Sequence, residues 1–447
     1  MPAWRTIAEL PVEADARIYE HGWQSWSPTT TYRLGQRPHR PLDERRRIMG
    51  FRSEHEPAPG VFSGEGLLCI QPADGAAVHV FGTADARDSV PSIEAIPHPG
   101  RLEVRTDGPI EGRTDDGPGG IDGALARWAD EFAAKAGVTG IRRAPTAWCS
   151  WYHYFTRVSE ADMLENLEAI GRLELPVDVV QLDDGYQAGI GDWLTLSDRF
   201  ASLGSLVERI RATGRRAGIW VAPFLAGARS ALAREHPDWL IGGPRRLVGA
   251  GHNWDQDLYA LDTTHPGARA YLAEVFGTLR ARGIDYFKID FIYAGALLGR
   301  RHVDMSPVAA YRSGIGLIRD AIGDAYLLGC GAPILPSVGL VDAMRISPDT
   351  GPHLETGDGD LSQPSSRAAI TTGVGRAFQQ GRFWVNDPDC LIVRPEVEER
   401  EAWAAHVERY GGLRASSDRL AELDDWGLET TRRLLSVSPT EPFIPSA

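Results

Sequence analysis

The sequence has little of what marks several common kinds of protein. It holds four cysteines in 447 residues. Cys69, Cys149, Cys330 and Cys390 form no CxxC pair and lie in strand-like runs, which points to reduced core thiols rather than a disulfide framework or a zinc site. No stretch of about 18 apolar residues is present, so no membrane-spanning helix is expected. The start, Met1-Pro2-Ala3-Trp4-Arg5-Thr6, lacks a basic segment followed by an apolar run. No secretory signal is visible there, and a cytoplasmic location is the expectation. The histidines, among them His153, His236, His252, His265, His302 and His353, are scattered with no HxH or HExxH, whereas hydrolytic metal centres generally include His ligands. Asp358-Gly359-Asp360 matches the start of a calcium loop but lacks its remaining positions. No GxSxG elbow is present for serine hydrolysis. No metal and no cofactor are therefore expected.

Positive charge is also in deficit. A net charge of −14 argues against a nucleic-acid or anionic-membrane partner and by itself says little about the substrate. Tryptophan, by contrast, is plentiful at 13. Sugar sites use such flat apolar faces, although a core is the commoner place for a Trp.

Residues 1–122 carry short apolar runs such as Gly66-Leu67-Leu68-Cys69-Ile70 and Ala77-Val78-His79-Val80-Phe81, broken by Gly, Pro and Asp. That is the pattern of a small antiparallel β domain. Within it, His21-Gly22-Trp23-Gln24-Ser25-Trp26-Ser27-Pro28 is rich in aromatic and hydrogen-bonding groups. Packing between domains explains this run more readily than reach into a sugar site. Residues 111–123 have the Gly- and Asp-rich composition of a linker, and a linker helix over 123–143 leads into a second domain. Eight apolar runs follow, at 146–152, 177–184, 217–224, 286–293, 325–330, 342–347, 383–387 and 412–416. Helical segments such as 160–170 and Leu203–Ala212 separate most of them. Alternating β and α predicts a parallel sheet, and eight units predict a (β/α)8 TIM barrel over 144–420, with a short segment, 421–447, after it. The interval between the fifth and sixth runs is too short for a full helix. That between the third and fourth is long and loop-rich at 242–257. An open doubly wound sheet would need a phosphate-binding glycine turn after its first strand, and Trp151-Tyr152-His153-Tyr154 is not one.

The active site of a barrel lies at the C-terminal ends of its strands, where this sequence places polar groups. Alternation along Tyr286-Phe287-Lys288-Ile289-Asp290-Phe291 puts Lys288 and Asp290 on one face, and Phe287, Ile289 and Phe291 on the other. Charges buried this way are either a bracing pair or functional. A second carboxyl, Asp349, closes a different run. Two carboxyls from different strands suit glycoside hydrolysis, in which one attacks the anomeric carbon while ionised and the other brings a proton to the leaving oxygen. Lys288 beside Asp290 is expected to keep that carboxyl ionised. Asp349, with Arg345 as its one nearby cation, is the candidate proton donor.

Six motifs then carry a resemblance. They are Val180-Gln181-Leu182-Asp183-Asp184-Gly185-Tyr186, Gly191-Asp192-Trp193, Glu235-His236-Pro237-Asp238-Trp239, Tyr286-Phe287-Lys288-Ile289-Asp290, Met344-Arg345-Ile346-Ser347-Pro348-Asp349 and Trp384-Val385-Asn386-Asp387-Pro388-Asp389-Cys390. In this order the chain resembles the α-galactosidases (melibiases) of glycoside hydrolase family 36, relatives of families 27 and 31, over about residues 144–420. The resemblance implies a retaining exo-α-galactosidase with Asp290 as nucleophile and Asp349 as acid/base. It places Asp183 and Asp184 on the sugar hydroxyls at C4 and C6, Lys288 on those at C3 and C4, and Arg345 near the 2-hydroxyl. Asp192 and Trp193 would close the pocket, with Trp151 and Trp220 among its sugar-binding residues. Cys330 opens a segment, Cys330-Gly331-Ala332-Pro333-Ile334-Leu335-Pro336, that departs from the Gly-rich, Arg-ending form many members carry beside the 2-substituent. Galactose and N-acetylgalactosamine therefore both stay open. A transglycosylase of the raffinose-synthase type and an inactive carbohydrate-binding barrel are the alternatives. The implied partner is an oligosaccharide or galactoside, and a homo-oligomer is compatible with the family.

Overall fold

The computed structural model describes residues 4–445. Two antiparallel sheets open the chain. One orders Arg5–Pro11, Arg101–Thr106, Ser92–His98 and Phe62–Glu65; the other orders Thr30–Arg33, Arg17–Glu20, Leu67–Gln71, Val78–Gly82 and Glu111–Asp115. Strand alternation sends neighbouring side chains to opposite faces. Leu68 and Ile70 thus join Ile18, Phe62, Ile93 and Val104 between the sheets, while Leu67, Cys69, Val78 and Val80 belong to the large core shared with the second domain. The helix Gly120–Ala136 buries Ile121, Leu125, Trp128 and Phe132 in that core. Trp128 and Phe132 stack at 5.0 Å and both meet Phe383 of the second domain edge-on.

Glu111–Asp115, read from sequence as part of a linker, is instead the outer strand of the second sheet, paired with Val78–Gly82. An edge strand pairs on one side only. This one leaves its side chains largely exposed, so it needs no apolar residue.

The second domain is the (β/α)8 barrel. Its strands are β1 (Ala147–Cys149), β2 (Val179–Leu182), β3 (Arg216–Val221), β4 (Ile284–Ile289), β5 (Tyr326–Gly329), β6 (Ala343–Arg345), β7 (Val385–Asp387) and β8 (Ala415–Ser416). Neighbours in sequence are neighbours in the parallel sheet, and β8 also pairs with β1. The ring closes where the Asn386 carbonyl accepts from the Gly412 and Leu413 amides, both at 3.0 Å. Most strands are shorter than the apolar runs, because the last residues of those runs leave the sheet to line the mouth. At β4 this corrects the sequence reading. Pairing stops at Ile289, and Phe291 takes a left-handed φ of 51°. Its ring therefore meets Trp26 and Trp254 instead of sharing a face with Phe287 and Ile289.

The long interval between β3 and β4 is not a loop but a three-stranded antiparallel sheet of Leu225–Gly227, Gln256–Ala260 and Gly249–Asn253. Between β5 and β6 there is a single helical turn, Ile334–Ser337. After β8 the helix Asp425–Leu435 buries Thr431, Leu434 and Leu435, so the segment 421–447 supplies the last return helix of the barrel. Among the described residues no helix is long and apolar enough to cross a membrane, and all four cysteines are buried and free.

Candidate active site

Parallel strands of one barrel end at a common level, and the residues just beyond them converge there. At the end of β2 the Asp183 carboxylate accepts from Lys288 Nζ at 3.0 Å, from Gln181 Nε2 at 2.7 Å and from the Cys149 thiol at 3.4 Å. Lys288 thus pairs with Asp183, not with Asp290 as alternation along one strand had suggested. Burial works against the ammonium's charge, but Asp183 together with Cys149 and Cys330 holds Lys288 well above the ordinary lysine range. Among the described residues Lys288 spends one donor, which leaves two for a ligand.

Asp290, 6% exposed, accepts instead from Trp220 Nε1 at 3.0 Å and from the Phe291 amide at 2.7 Å. The Trp220 ring stands edge-on to Trp193 at 5.7 Å and to Trp254 at 6.3 Å. Trp254 Nε1 donates to Asp184 at 2.8 Å, and Gln187 Nε2 to its other oxygen at 2.6 Å. Burial still pushes Asp184 up to about 6.

Trp254 escaped the sequence reading. It sits with Asp255 in the two-residue turn between Gly249–Asn253 and Gln256–Ala260, with φ of 51° and 52°. Two-residue hairpins of this kind favour Asn-Gly. Two residues with bulky or branched side chains held left-handed are a strained choice of the sort that gathers at functional sites. The missed signal was the length of the β3–β4 interval.

On the far side of the mouth Arg345, fully buried, serves three carboxylates: Asp349 at 3.0 Å, Asp387 at 3.2 Å and Asp389 at 2.7 Å. Burial opposes its charge, and Asp389 and Asp387 restore it to well above the ordinary range. Tyr152 donates its hydroxyl to Asp389, which burial raises to about 7. Asp349 opens to the cavity with 31% of its side chain exposed. Desolvation raises its pKa first; the charges of Asp290 and Asp183 add to this, and Arg345 and Lys288 oppose it.

A cavity of about 270 Å³ opens beside Asp349, lined by Asp349, Phe291, Trp151 and Pro348 of the barrel and by Trp26, Arg46, Met49, Gly50 and Phe51 of the N-terminal domain. Trp26 meets Phe291 edge-on at 4.8 Å. It also lies over Gly331, whose φ of 53° and close approach leave no room for a side chain. The run His21–Pro28 therefore packs the domains together and also reaches the cavity. Two predicted pocket residues do not join the wall. Asp192 accepts from the Ala231 and Leu232 amides, bracing the helix Ala231–Glu235, and Trp193 is wholly buried behind Trp220. Cys330 is also fully buried, its thiol pushed well up by desolvation and by Asp290. Among the described residues no group of three His, Cys, Asp or Glu side chains is placed to hold a metal ion.

A barrel mouth with one carboxyl supplied with donors, another whose pKa is raised by desolvation, and hydrogen-bonders beside aromatic rings has the make-up of a glycoside hydrolase site. The melibiase family model matches residues 146–317. The α-galactosidase of Thermus thermophilus, solved in complex with p-nitrophenyl α-D-galactopyranoside and with stachyose, is 30% identical. In the first complex it superimposes with a TM-score of 0.82 over 98% of this chain and 90% of its own. The α-galactosidase AgaA of Geobacillus stearothermophilus shares the fold at a TM-score of 0.63 and 14% identity, over 96% of this chain and 61% of its own. A probable α-galactosidase C of Aspergillus flavus is 28% identical over 202 residues, which are 40% of this chain and 25% of that protein. The match thus spans only about a quarter of that curated relative. The chain belongs to glycoside hydrolase family 36, the melibiase family.

Proposed function

We propose that the protein is a retaining exo-α-galactosidase that releases terminal α-galactose through a covalent glycosyl-aspartate. The observation that carries this reading is the contrast between two neighbouring carboxyls: Asp290 receives two N–H donors, while Asp349, which lines the cavity, is raised by desolvation and by the charge of Asp290. Asp290 attacks the anomeric carbon as Asp349 protonates the leaving oxygen. Part of what keeps Asp349 protonated is the negative charge of Asp290. Once Asp290 is esterified that charge is gone, Asp349 becomes more acidic, and the same group takes a proton from the incoming water.

Asp183, Asp184 and the two remaining donors of Lys288 hold the sugar's hydroxyls, with Trp220 and Trp254 as apolar walls. The activities reported for the relatives agree with an α-galactoside as substrate.

A screen of aryl glycosides differing in sugar and anomer tests the reading. Turnover of the α-galactoside, with α-galactose as the first-formed product by NMR, is the expected result. A preference for the N-acetylgalactosaminide, a β-configured first product, or transfer to an acceptor sugar in place of hydrolysis would each replace it.

A further inference from the structure

Arg376 is 0% exposed, and among the described residues no carboxylate pairs with it. Its guanidinium is closed over main-chain carbonyls. Nη1 donates to those of Ser25 and Ile346, and Nη2 to those of Gln24 at 2.7 Å, Ser27 at 3.2 Å and Gly22 at 3.4 Å. Burying a cation without a counter-charge is expensive, and docking the two domains does not require it, because the helix Gly120–Ala136 already does so with apolar packing. Burial pulls the group down to about 9, which still leaves it charged at neutral pH.

The location of the five carbonyls, four of them in residues 22–27, explains the arrangement. Residues 22–27 form a strap without a regular ladder of its own, and buried carbonyls there need donors from elsewhere. The strap carries Trp26 into the cavity, and its other ties run to the β5 loop, where the Ser25 amide donates to the Ala332 carbonyl at 3.0 Å. Ile346 lies three residues before Asp349. One side chain thus fixes the wall opposite the acid/base loop to the root of that loop.

We infer that Arg376 is a positioning residue for the leaving-group side of the pocket, holding Trp26 through the strap carbonyls against the loop that carries Asp349. This rests on the glycosidase reading above. The sugar that leaves with the aglycone oxygen would meet this wall, whereas the galactosyl unit sits deeper, on Asp183, Asp184 and Lys288.

The test compares the unaltered protein with Arg376→Met, Arg376→Lys, Trp26→Ala and the double variant Arg376→Met/Trp26→Ala. It measures kcat and KM on an α-galactosyl disaccharide together with inhibition by free galactose. Misplacement by about 1 Å costs about 10²-fold, so Arg376→Met is expected to raise the disaccharide KM by about tenfold or more. Galactose inhibition should stay within about twofold, and the double variant should lose no more than Trp26→Ala alone. Arg376→Lys keeps the charge but not the planar fork and should fall between; it carries the comparison if Arg376→Met does not fold. Losses that multiply in the double variant, or galactose inhibition that weakens in step with the disaccharide KM, overturn the inference while leaving the glycosidase reading intact. An unaltered protein that turns over no galactoside overturns both.

Discussion

Lys288 Nζ lies 3.0 Å from Asp183 and takes its partner from β2 rather than from its own strand. The choice of residue is pointed: Lys288 is one of two lysines in the sequence, the other being Lys135. An ammonium is a compact charge with three donors that can divide between a carboxylate and a ligand, whereas a guanidinium fork would tend to engage one carboxylate with two bonds.

Lys288→Met should therefore cost about 3–5 kcal/mol, because it leaves a buried carboxylate unpaired. Adding Asp183→Asn should return most of that stability and none of the turnover. Denaturant unfolding of the single and double variants checks this. Equal losses in both would show that the two groups do not act as a pair.

Asp290→Ala should reduce turnover by about 10⁴-fold or more, since the covalent step is removed. Azide should restore part of it by entering the vacated side, giving a β-galactosyl azide identifiable by NMR. A variant with near-normal rates would end the nucleophile assignment.

For Asp349 the sign follows from its raised pKa. The first step needs the proton, so kcat/KM should fall as pH rises through that pKa. Asp349→Ala should slow a galactosyl disaccharide by about 10²–10⁴-fold. An activated aryl galactoside, which needs no proton on its leaving group, should still form the glycosyl-enzyme, and mass spectrometry should find it accumulating. The alkaline limb should vanish with it. If both substrates slow by the same factor, the acid/base role is wrong.

Asp184 governs the acid side. Ionised, it accepts from a sugar hydroxyl through the stronger, charge-assisted bond, so KM should rise as pH falls through about 6. Trp254→Phe deletes a donor to the ionised form. It should raise KM by about 10-fold, the worth of a hydrogen bond to a charged group, and shift that limb to higher pH. The same raised pKa means that this group's contribution to stability is full below about pH 4 and is lost as pH rises through about 6. Asp184→Asn should flatten that dependence in a thermal melt series, and an unchanged slope would place the titration elsewhere.

The barrel was legible because strands buried on both faces read as apolar runs, and all eight were found. Their ends were less so: a local pattern cannot show that pairing stops at Ile289 and that Phe291 turns into the mouth. Gly249–Asn253 has no β-branched residue and its turn is Trp254-Asp255 rather than Asn-Gly, so a hairpin that carries a site residue looked like loop. Asp192 and Trp193 were placed by resemblance at a pocket wall, yet one braces a helix and the other lies behind Trp220. The partnership of Lys288 with Asp183, and the part played by Met49 and Phe51, depend on contacts far apart in sequence that no window of neighbouring residues contains.

The cavity is walled by both domains, and the strap contact with Arg376 spans 351 positions of the chain. During synthesis the first sheets emerge early and the residues that complete the pocket, Asp349 and Arg376, emerge late. A nascent chain that has already made β4 carries Asp290 but has neither Asp349 nor the anchor for Trp26. On the proposed mechanism turnover is withheld until Arg376 has been made and has met the strap, which makes hydrolytic activity a report on the joining of the two domains rather than on the first half of the barrel.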